Sequence, residues 1–467
     1  MSRQKPAEAT MKGRLLPGFE PVEREFEKNF TQRGELGAAC AIYHKGTCVV
    51  DVWAGCRDEK TEAPWEEDTL TQVFSMTKGM AALAIAVAHS RGLLDYDERI
   101  AAYWPEFAQQ GKEAVTLRQL LDHRAGLCAV DQPLDLETLS NHNDLDSILA
   151  RQKPAWIPGT KHGYHMWTQG WYLSALLRRV DPQHRSLGQF FQDEVAQPLG
   201  LEFYMGLPPS VREERVATLK PVNRLTVLLN LDKVPYLRSV LNPLNSNSIT
   251  YRTVMNPRIL TNHRNYNACE LRALEAPSAN GIGQARSMAK AYSVFATGGA
   301  ELGIQDDTLE ALIAPVAEPQ EGWRDEILLV DTSYSLGFVK PFHAFQFGAS
   351  DTAFGCAGAG VGFAFADPDA QVGYAYASNK MTFYGQDDPR EKAVRDAFYQ
   401  CLARQGHAAG MDPDRRDARD EDVAEGGGGR GDLPHPPPRA CRTTDPRPSR
   451  ERSIFFDRIP PATEGSC

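Results

Sequence analysis

Several features that would signal a membrane protein, a secreted protein or a nucleic-acid binder are missing. The longest apolar run, Met80–Ala88 (MAALAIAVA), falls well short of the roughly 20 residues a bilayer-spanning helix needs. No transmembrane helix is expected. The first stretch, MSRQKPAEATMKGRLLPGFE, lacks an apolar core and a small-residue cleavage site, so it does not read as a secretory signal. A cytosolic location is the default expectation. Arg3, Lys5, Lys12 and Arg14 outnumber Glu8 there and keep a mitochondrial presequence open, although Pro6 interrupts any amphipathic helix. The nine cysteines are scattered, with no C-x-x-C pair and no His cluster at zinc spacing, which reads as free thiols in a reducing compartment. An excess of basic charge is also lacking: Lys+Arg number 51 against Asp+Glu 61, a formal net charge of -10. That balance argues against a nucleic-acid binder working through a basic surface. No internal repeat is found.

The 467 residues are 42% hydrophobic, more than one minimal core requires, so one large domain or two intimate ones is expected. From about Gln405 the chain becomes poor in Leu, Ile and Val and cannot bury enough apolar surface to offset its ordering entropy. Residues 405–467 are expected to be a disordered tail, in which Arg430-Gly431-Asp432 is a chance tripeptide.

Ahead of the tail, Ala38–Tyr43 and Thr47–Trp53 flank His44-Lys45-Gly46 and read as a hairpin. Strands are also expected at Tyr334–Val339, Val361–Ala366 and Val372–Ala377, the last two joined at Asp367-Pro368-Asp369. Between these regions the periodicity is helical: Thr77–Arg91, Leu117–His123, Thr168–Arg179, Leu187–Val195 and Ala285–Phe295. Strands at both ends with helices between them suggest one sheet assembled from distant segments and backed by a helical subdomain. Residues 209–276 are the least readable. Leu225, Leu228, Leu229, Leu231, Tyr236, Leu237 and Val240 suggest an amphipathic helix broken near Pro235, within a helical insertion that has its own small core rather than a membrane-surface element.

Ser75-Met76-Thr77-Lys78 matches S-x-x-K, which sets a Ser at a helix start and a Lys one turn later on the same face. The following GMAALAIAVAHSRGLL is apolar all round, as in a buried central helix. An ammonium at its start is partly desolvated, which favours the neutral amine and would let Lys78 act as a base near neutral pH. The motif alone is weak, because Ser2–Lys5 and Ser287–Lys290 match it equally well. The first control lies in a polar terminus. The second lies on a helix of alternating polar and apolar residues, where both side chains are expected at the surface.

The stretch VFSMTKGMAALAIAVAHSRGLLDYDERIAAYWPEF followed by VTLRQLLDHRAGL resembles the serine β-lactamase-like superfamily, especially class C β-lactamases and family VIII carboxylesterases. The G-L-L-D-x-D-E turn (Gly92–Glu98) and the L-L-x-H-x-x-G-L segment (Leu120–Leu127) carry that resemblance. It resumes at Trp156-Ile157-Pro158-Gly159 with Tyr164, at Gln197–Leu201, at Pro277–Gly283 and at Phe354–Asn379. The resemblance implies a β-lactamase-like α/β (α+β) fold over residues 20–404. An antiparallel sheet would come from about 34–74 and 331–404, and a helical subdomain, about 75–330, would hold the insertion.

In that family the Tyr at the position of Tyr164 approaches the nucleophile and shuttles a proton. A Tyr can serve as a base beside an ammonium, so Lys78 and Tyr164 would titrate as a coupled pair. Two departures stand out. Class C enzymes carry Y-x-N here, and this chain reads Tyr164-His165-Met166, so the Asn amide is absent. The third motif, K-T-G in lactamases and often H-x-G or W-x-G in esterases, aligns with Cys356-Ala357-Gly358. Gly358 would let backbone approach a substrate closely. The resemblance makes the N–H of Ala359 the oxyanion donor, paired with that of Ser75. Cys356 is expected as a small packing residue, with a redox-sensitive thiol as the other reading. Lys161 and His162 are candidates for nearby charge.

Together these readings imply a serine hydrolase that cleaves an ester or amide through an acyl-serine intermediate. No metal or organic cofactor, nucleic-acid partner or membrane span is expected. The missing Asn and altered third motif favour small esters over lactams or peptides. The alternatives are an acyltransferase using the same residues and a pseudoenzyme that binds a ligand without turnover.

Overall fold

The computed structural model describes residues 11–409, apart from 232, 233, 235, 236, 238–240 and 242–244. Its strands in chain order are β1 (Lys12–Leu15), β2 (Gly37–His44), β3 (Thr47–Asp58), β4 (Ala63–Pro64), β5 (Thr71–Phe74), β6 (Phe203–Met205), β7 (Gly281–Gly283), β8 (Tyr334–Ser335), β9 (Phe338–Val339), β10 (Phe354–Gly358), β11 (Gly362–Asp367) and β12 (Val372–Ser378). Nine of them form an antiparallel sheet in the order β1-β3-β2-β12-β11-β10-β9-β8, with β4 on β3. The seam between chain-distant segments is β2 against β12, with Ala41 opposite Ala375. A small sheet, β5-β7-β6, stands apart.

The period-2 alternation of the central strands explains how this sheet is covered. Cys40, Ile42, Phe363, Phe365, Tyr374 and Tyr376 point to one face. There they meet Val22, Phe26 and Phe30 of helix α1 (Glu20–Thr31) and Val394 and Phe398 of the last helix, Pro389–Ala409. The intervening positions are small: Ala41, Ala364, Ala366, Ala375 and Ala377. They face helices α2 (Met76–Ser90) and Ala285–Ala296, which can therefore approach closely. Gly373 lies at the tightest point, where a Cβ would stand 2.2 Å from the Ala289 carbonyl oxygen. Every residue of α2 from Met76 to Ala88 is buried, as its all-round apolar sequence requires. No helix among the described residues is long and apolar enough to cross a membrane. The seven described cysteines are all free.

The structure differs from the sequence expectations in several places. Tyr334–Val339 is a tight hairpin, β8 and β9, because Leu336 and Gly337 both take positive φ, 48° and 89°. The helix expected at Thr168–Arg179 runs over Thr168–Val180. Trp167 holds the cap position, and the Thr168 hydroxyl donates to the Leu127 carbonyl. Ser287 and Lys290 are not surface choices: Ser287 is buried and accepts from the Glu202 N–H at 2.8 Å, while Lys290 donates to the Leu199 carbonyl at 2.6 Å. Ser2–Lys5 lies outside the described residues.

Among the described residues of the insertion, Leu260, Tyr266, Leu271 and Leu274 join the main cluster rather than a core of their own. Among the described residues its expected helix is present as Arg224–Leu228, with Leu225, Leu228 and Leu229 exposed, and Leu237 is helical again. Tyr236 and Val240 fall outside the described residues. At the two ends, β1 precedes residue 20, and the last helix runs on to Ala409, past the compositional break at Gln405.

Candidate active site

Ser75 stands where β5 turns into α2. The turn is made by an unusual residue: Phe74 has φ 48°, a conformation that costs a bulky side chain about 1–3 kcal/mol and persists only where the surroundings enforce it. Here the Phe74 ring packs edge-on against Tyr266, 4.8 Å between centroids, and against His263 at 5.4 Å. Below it, the Thr77 hydroxyl donates to the Phe74 carbonyl and accepts from the Gly281 N–H at 2.8 Å. Ser75 is the N-cap of α2, yet its side chain makes no capping hydrogen bond. Ser75 lines a cavity.

One turn on, Lys78 is buried, and its ammonium donates to two backbone carbonyls, Met166 and Ser278, each at 2.8 Å. Ser278 is itself held by the Gly170 N–H, which donates to its hydroxyl at 2.7 Å. Carbonyls solvate an ammonium without neutralising it, and burial pushes the Lys78 pKa down to about 7. Nζ lies 4.6 Å from the centre of the Tyr164 ring.

Tyr164 rests in a cage of rings and a buried acid. His123 meets it edge-on at 5.0 Å, and Tyr334 stacks on it at 6.0 Å. Asp325, raised to about 6 by burial, accepts from the N–H groups of Ile327 and Leu328, both at 2.7 Å, and is hydrogen-bonded by the Tyr164 backbone and the Tyr334 side chain. His165 orders the other side. Its Nε2 accepts from the Leu127 N–H at 3.0 Å, so the ring proton sits on Nδ1 and is donated to the Gly163 carbonyl at 2.7 Å. The His165 N–H in turn donates to His123 Nδ1 at 3.1 Å, which places the His123 proton on Nε2. Burial holds both imidazoles neutral, with His123 well below its ordinary pKa and His165 near 3.

The third motif forms β10, next to α2. Cys356 is buried, and its thiol donates to the Gly337 carbonyl at 3.5 Å. Burial raises its pKa to about 12, so it is a neutral packing group rather than a reactive thiolate. Gly358 is explained less by substrate than by packing, since a Cβ there would stand 2.5 Å from the Val73 carbonyl oxygen.

Ser75, Lys78, Tyr164, Met166, Cys356, Gly358 and Ala359 all line one cavity of about 1440 Å³. Lys161 and His162 are not among its lining residues. Lys161 is ion-paired to Glu321 and Glu326 at 3.1 and 3.4 Å, and His162 is buried against the Thr332 hydroxyl with its pKa lowered to about 4. His123, Tyr334, Asp325 and Ser278 were missed by sequence reasoning. His123 stands inside the Leu120–Leu127 segment and could have been singled out there. Ser278 lies in Pro277–Gly283 and Tyr334 opens an expected strand, whereas Asp325 had no local signal.

The family model described as Beta-lactamase matches residues 22–398. The esterase/beta-lactamase LipL of Mycobacterium tuberculosis is 31% identical over 370 residues, covering 79% of this chain and 83% of that protein. Among solved structures, a family VIII carboxylesterase is 34% identical with a TM-score of 0.72, over 84% of this chain and all of the other. EstA from Arthrobacter nitroguajacolicus is 29% identical with a TM-score of 0.70, over 84% of this chain and 98% of the other.

Proposed function

The chain belongs to the Beta-lactamase family as a carboxylesterase-like serine hydrolase, and on that premise we propose that it cleaves small-molecule esters through an acyl-serine intermediate on Ser75. The observation that carries this reading is the setting of Lys78, a buried amine on the same helical turn as Ser75 and in the same cavity, whose burial pushes its pKa down to about 7. At neutral pH a substantial share of Lys78 is unprotonated and able to take the Ser75 proton.

In the proposed reaction, Ser75 Oγ bonds to the ester carbonyl carbon while its proton passes to Lys78. Tyr164, with Lys78 over its ring, relays the proton to the departing alkoxide as the ester C–O bond breaks. The backbone N–H groups of Ser75 and Ala359 stabilise the oxyanion, a contribution worth about 3–4 kcal/mol per donor in comparable sites. Water then attacks the acyl-serine carbonyl, and its proton returns through the same pair to Ser75. The cage of His123, Tyr334 and Asp325 fixes Tyr164 in place.

The test is intact-mass analysis after exposure to a fluorophosphonate. One adduct per chain is expected, absent in Ser75→Ala. An adduct that survives loss of Ser75 overturns the assignment.

A further inference from the structure

The cavity is larger than hydrolysis of a small ester requires. At about 1440 Å³ it exceeds the roughly 300–1,000 Å³ common for small-molecule sites. Away from Ser75, Lys78 and Tyr164 its wall is largely apolar, including Val222, Val254, Leu328, Val330 and Phe342. Val222, Leu328 and Val330 are only half-buried, so they carry apolar surface that remains open to whatever fills the space.

The charges of the wall are equally informative. Among the described lining residues there is no carboxylate, and the two cations are Lys78, at the nucleophile, and Arg264, which is exposed. An ammonium-bearing substrate would meet no counter-ion among these described residues. A substrate carboxylate would find among them a solvated guanidinium and the Lys78 amine beside Ser75.

We infer that the hydrolysed ester carries a bulky, uncharged hydrocarbon acyl group of medium length or longer, held against this wall. The inference rests on the acyl-serine chemistry proposed above and adds the class of acyl group. A short acyl chain leaves most of the wall wetted, whereas each further methylene moved onto it contributes up to about fourfold in binding. That contribution is realised in the transition state as well as in the complex and so raises kcat/KM.

The experiment is kcat/KM of the full chain on p-nitrophenyl butyrate, hexanoate and octanoate below their micelle concentrations. A rise of about two- to fourfold per methylene is expected. Measurable butyrate turnover with a flat or falling series overturns this inference and leaves the proposed function standing. No turnover at any length, together with no fluorophosphonate adduct, overturns the proposed function itself.

Leu328→Trp and, separately, Val330→Trp fill the cavity from half-buried positions. Each is expected to lower octanoate turnover at least about fourfold relative to butyrate, the loss of two or more methylene contacts. Equal losses on both esters, in whichever variant retains the wild-type Tm, overturn the placement of the acyl group against this wall.

Discussion

The ammonium of Lys78 lies over the face of the Tyr164 ring, 4.6 Å from its centroid, while its hydrogen bonds go to the Met166 and Ser278 carbonyls. The charged form of Lys78 is therefore held by dipoles and a ring quadrupole, without a carboxylate. That arrangement leaves a buried amine poised between its two protonation states.

Its pKa near 7 sets a pH dependence. The rate of fluorophosphonate labelling should rise as pH passes upward through about 7, where Lys78 loses its proton. Lys78→Arg cannot deprotonate and should lose about 10²- to 10⁴-fold in rate along with that limb of the profile. Stability should move in the same direction. The folded pKa lies below the unfolded value of about 10.5, so between pH 7 and 10.5 the unfolded chain binds the extra proton, and this group's contribution to stability grows with pH. A Tm series across that window, compared with Lys78→Met, measures the contribution; an identical slope in the variant would assign it elsewhere.

Ser287 offers an internal control for the nucleophile. It shares the S-x-x-K spacing but accepts from the Glu202 N–H in the interior. Ser287→Ala should keep full labelling and lose about 1–3 kcal/mol of stability through the orphaned N–H, seen as a lower Tm. Ser75→Ala should do the reverse, losing labelling with Tm little changed.

Gly358 and Gly385 both line the cavity and separate packing from general sensitivity to substitution. A Cβ on Gly358 meets the Val73 carbonyl oxygen at 2.5 Å, whereas one on Gly385 meets nothing within 4 Å. Gly358→Ala should cost about 1–3 kcal/mol and depress ester turnover, because it pushes β10 away from the end of β5 beside Ser75. Gly385→Ala should match wild type in Tm and in kcat/KM.

Esters should be better substrates than β-lactams. Met166 stands where an Asn amide would contact the lactam, and Cys356 is neutral where a cation or hydroxyl would serve. Each lost contact costs about 1–3 kcal/mol, roughly ten- to a hundredfold. On one preparation, kcat/KM for nitrocefin should fall well below that for p-nitrophenyl butyrate. Equal or faster nitrocefin turnover would reverse the preference.

The tail should be dispensable for catalysis. Its composition cannot support a core, while the last helix reaches Ala409, so the cut belongs after Gly410 rather than near Gly406. A chain ending there should keep its ester turnover and its Tm; a fall of many degrees would show that the tail contributes to the fold.

What was legible in the sequence was local. The hairpin β2–β3 announces itself by alternation and by Lys45-Gly46, both at positive φ in the turn. The burial of α2 follows from a run with no polar face. S-x-x-K places Ser75 and Lys78 one turn apart by helix geometry alone. The short strands β5, β6 and β7 were not legible, because three or four residues carry too little periodicity and pair only through contacts between distant segments. The same limit hid the surroundings of Lys78. Ser278, 200 residues away, supplies one of its two carbonyls, and Asp325 supports Tyr164 from another part of the chain. The leucines near residue 228 misled in the opposite sense, since their spacing suggests a core-facing helix, yet three of them are exposed, with Leu228 at the cavity.

The pairing of β2 with β12 also has a temporal meaning. Residues 37–44 pair with β3 on one edge but find their partner on the other only at 372–378, so during synthesis the early hairpin waits with that edge unpaired until nearly the whole chain has emerged. At about 5–20 residues per second that wait is on the order of tens of seconds. Gly358 and Ala359 arrive on the same late side as β12, whereas Ser75 emerges early. Ser75, the proposed nucleophile, is thus made long before the segment that completes its cavity, and the nascent chain carries that serine without the facing wall.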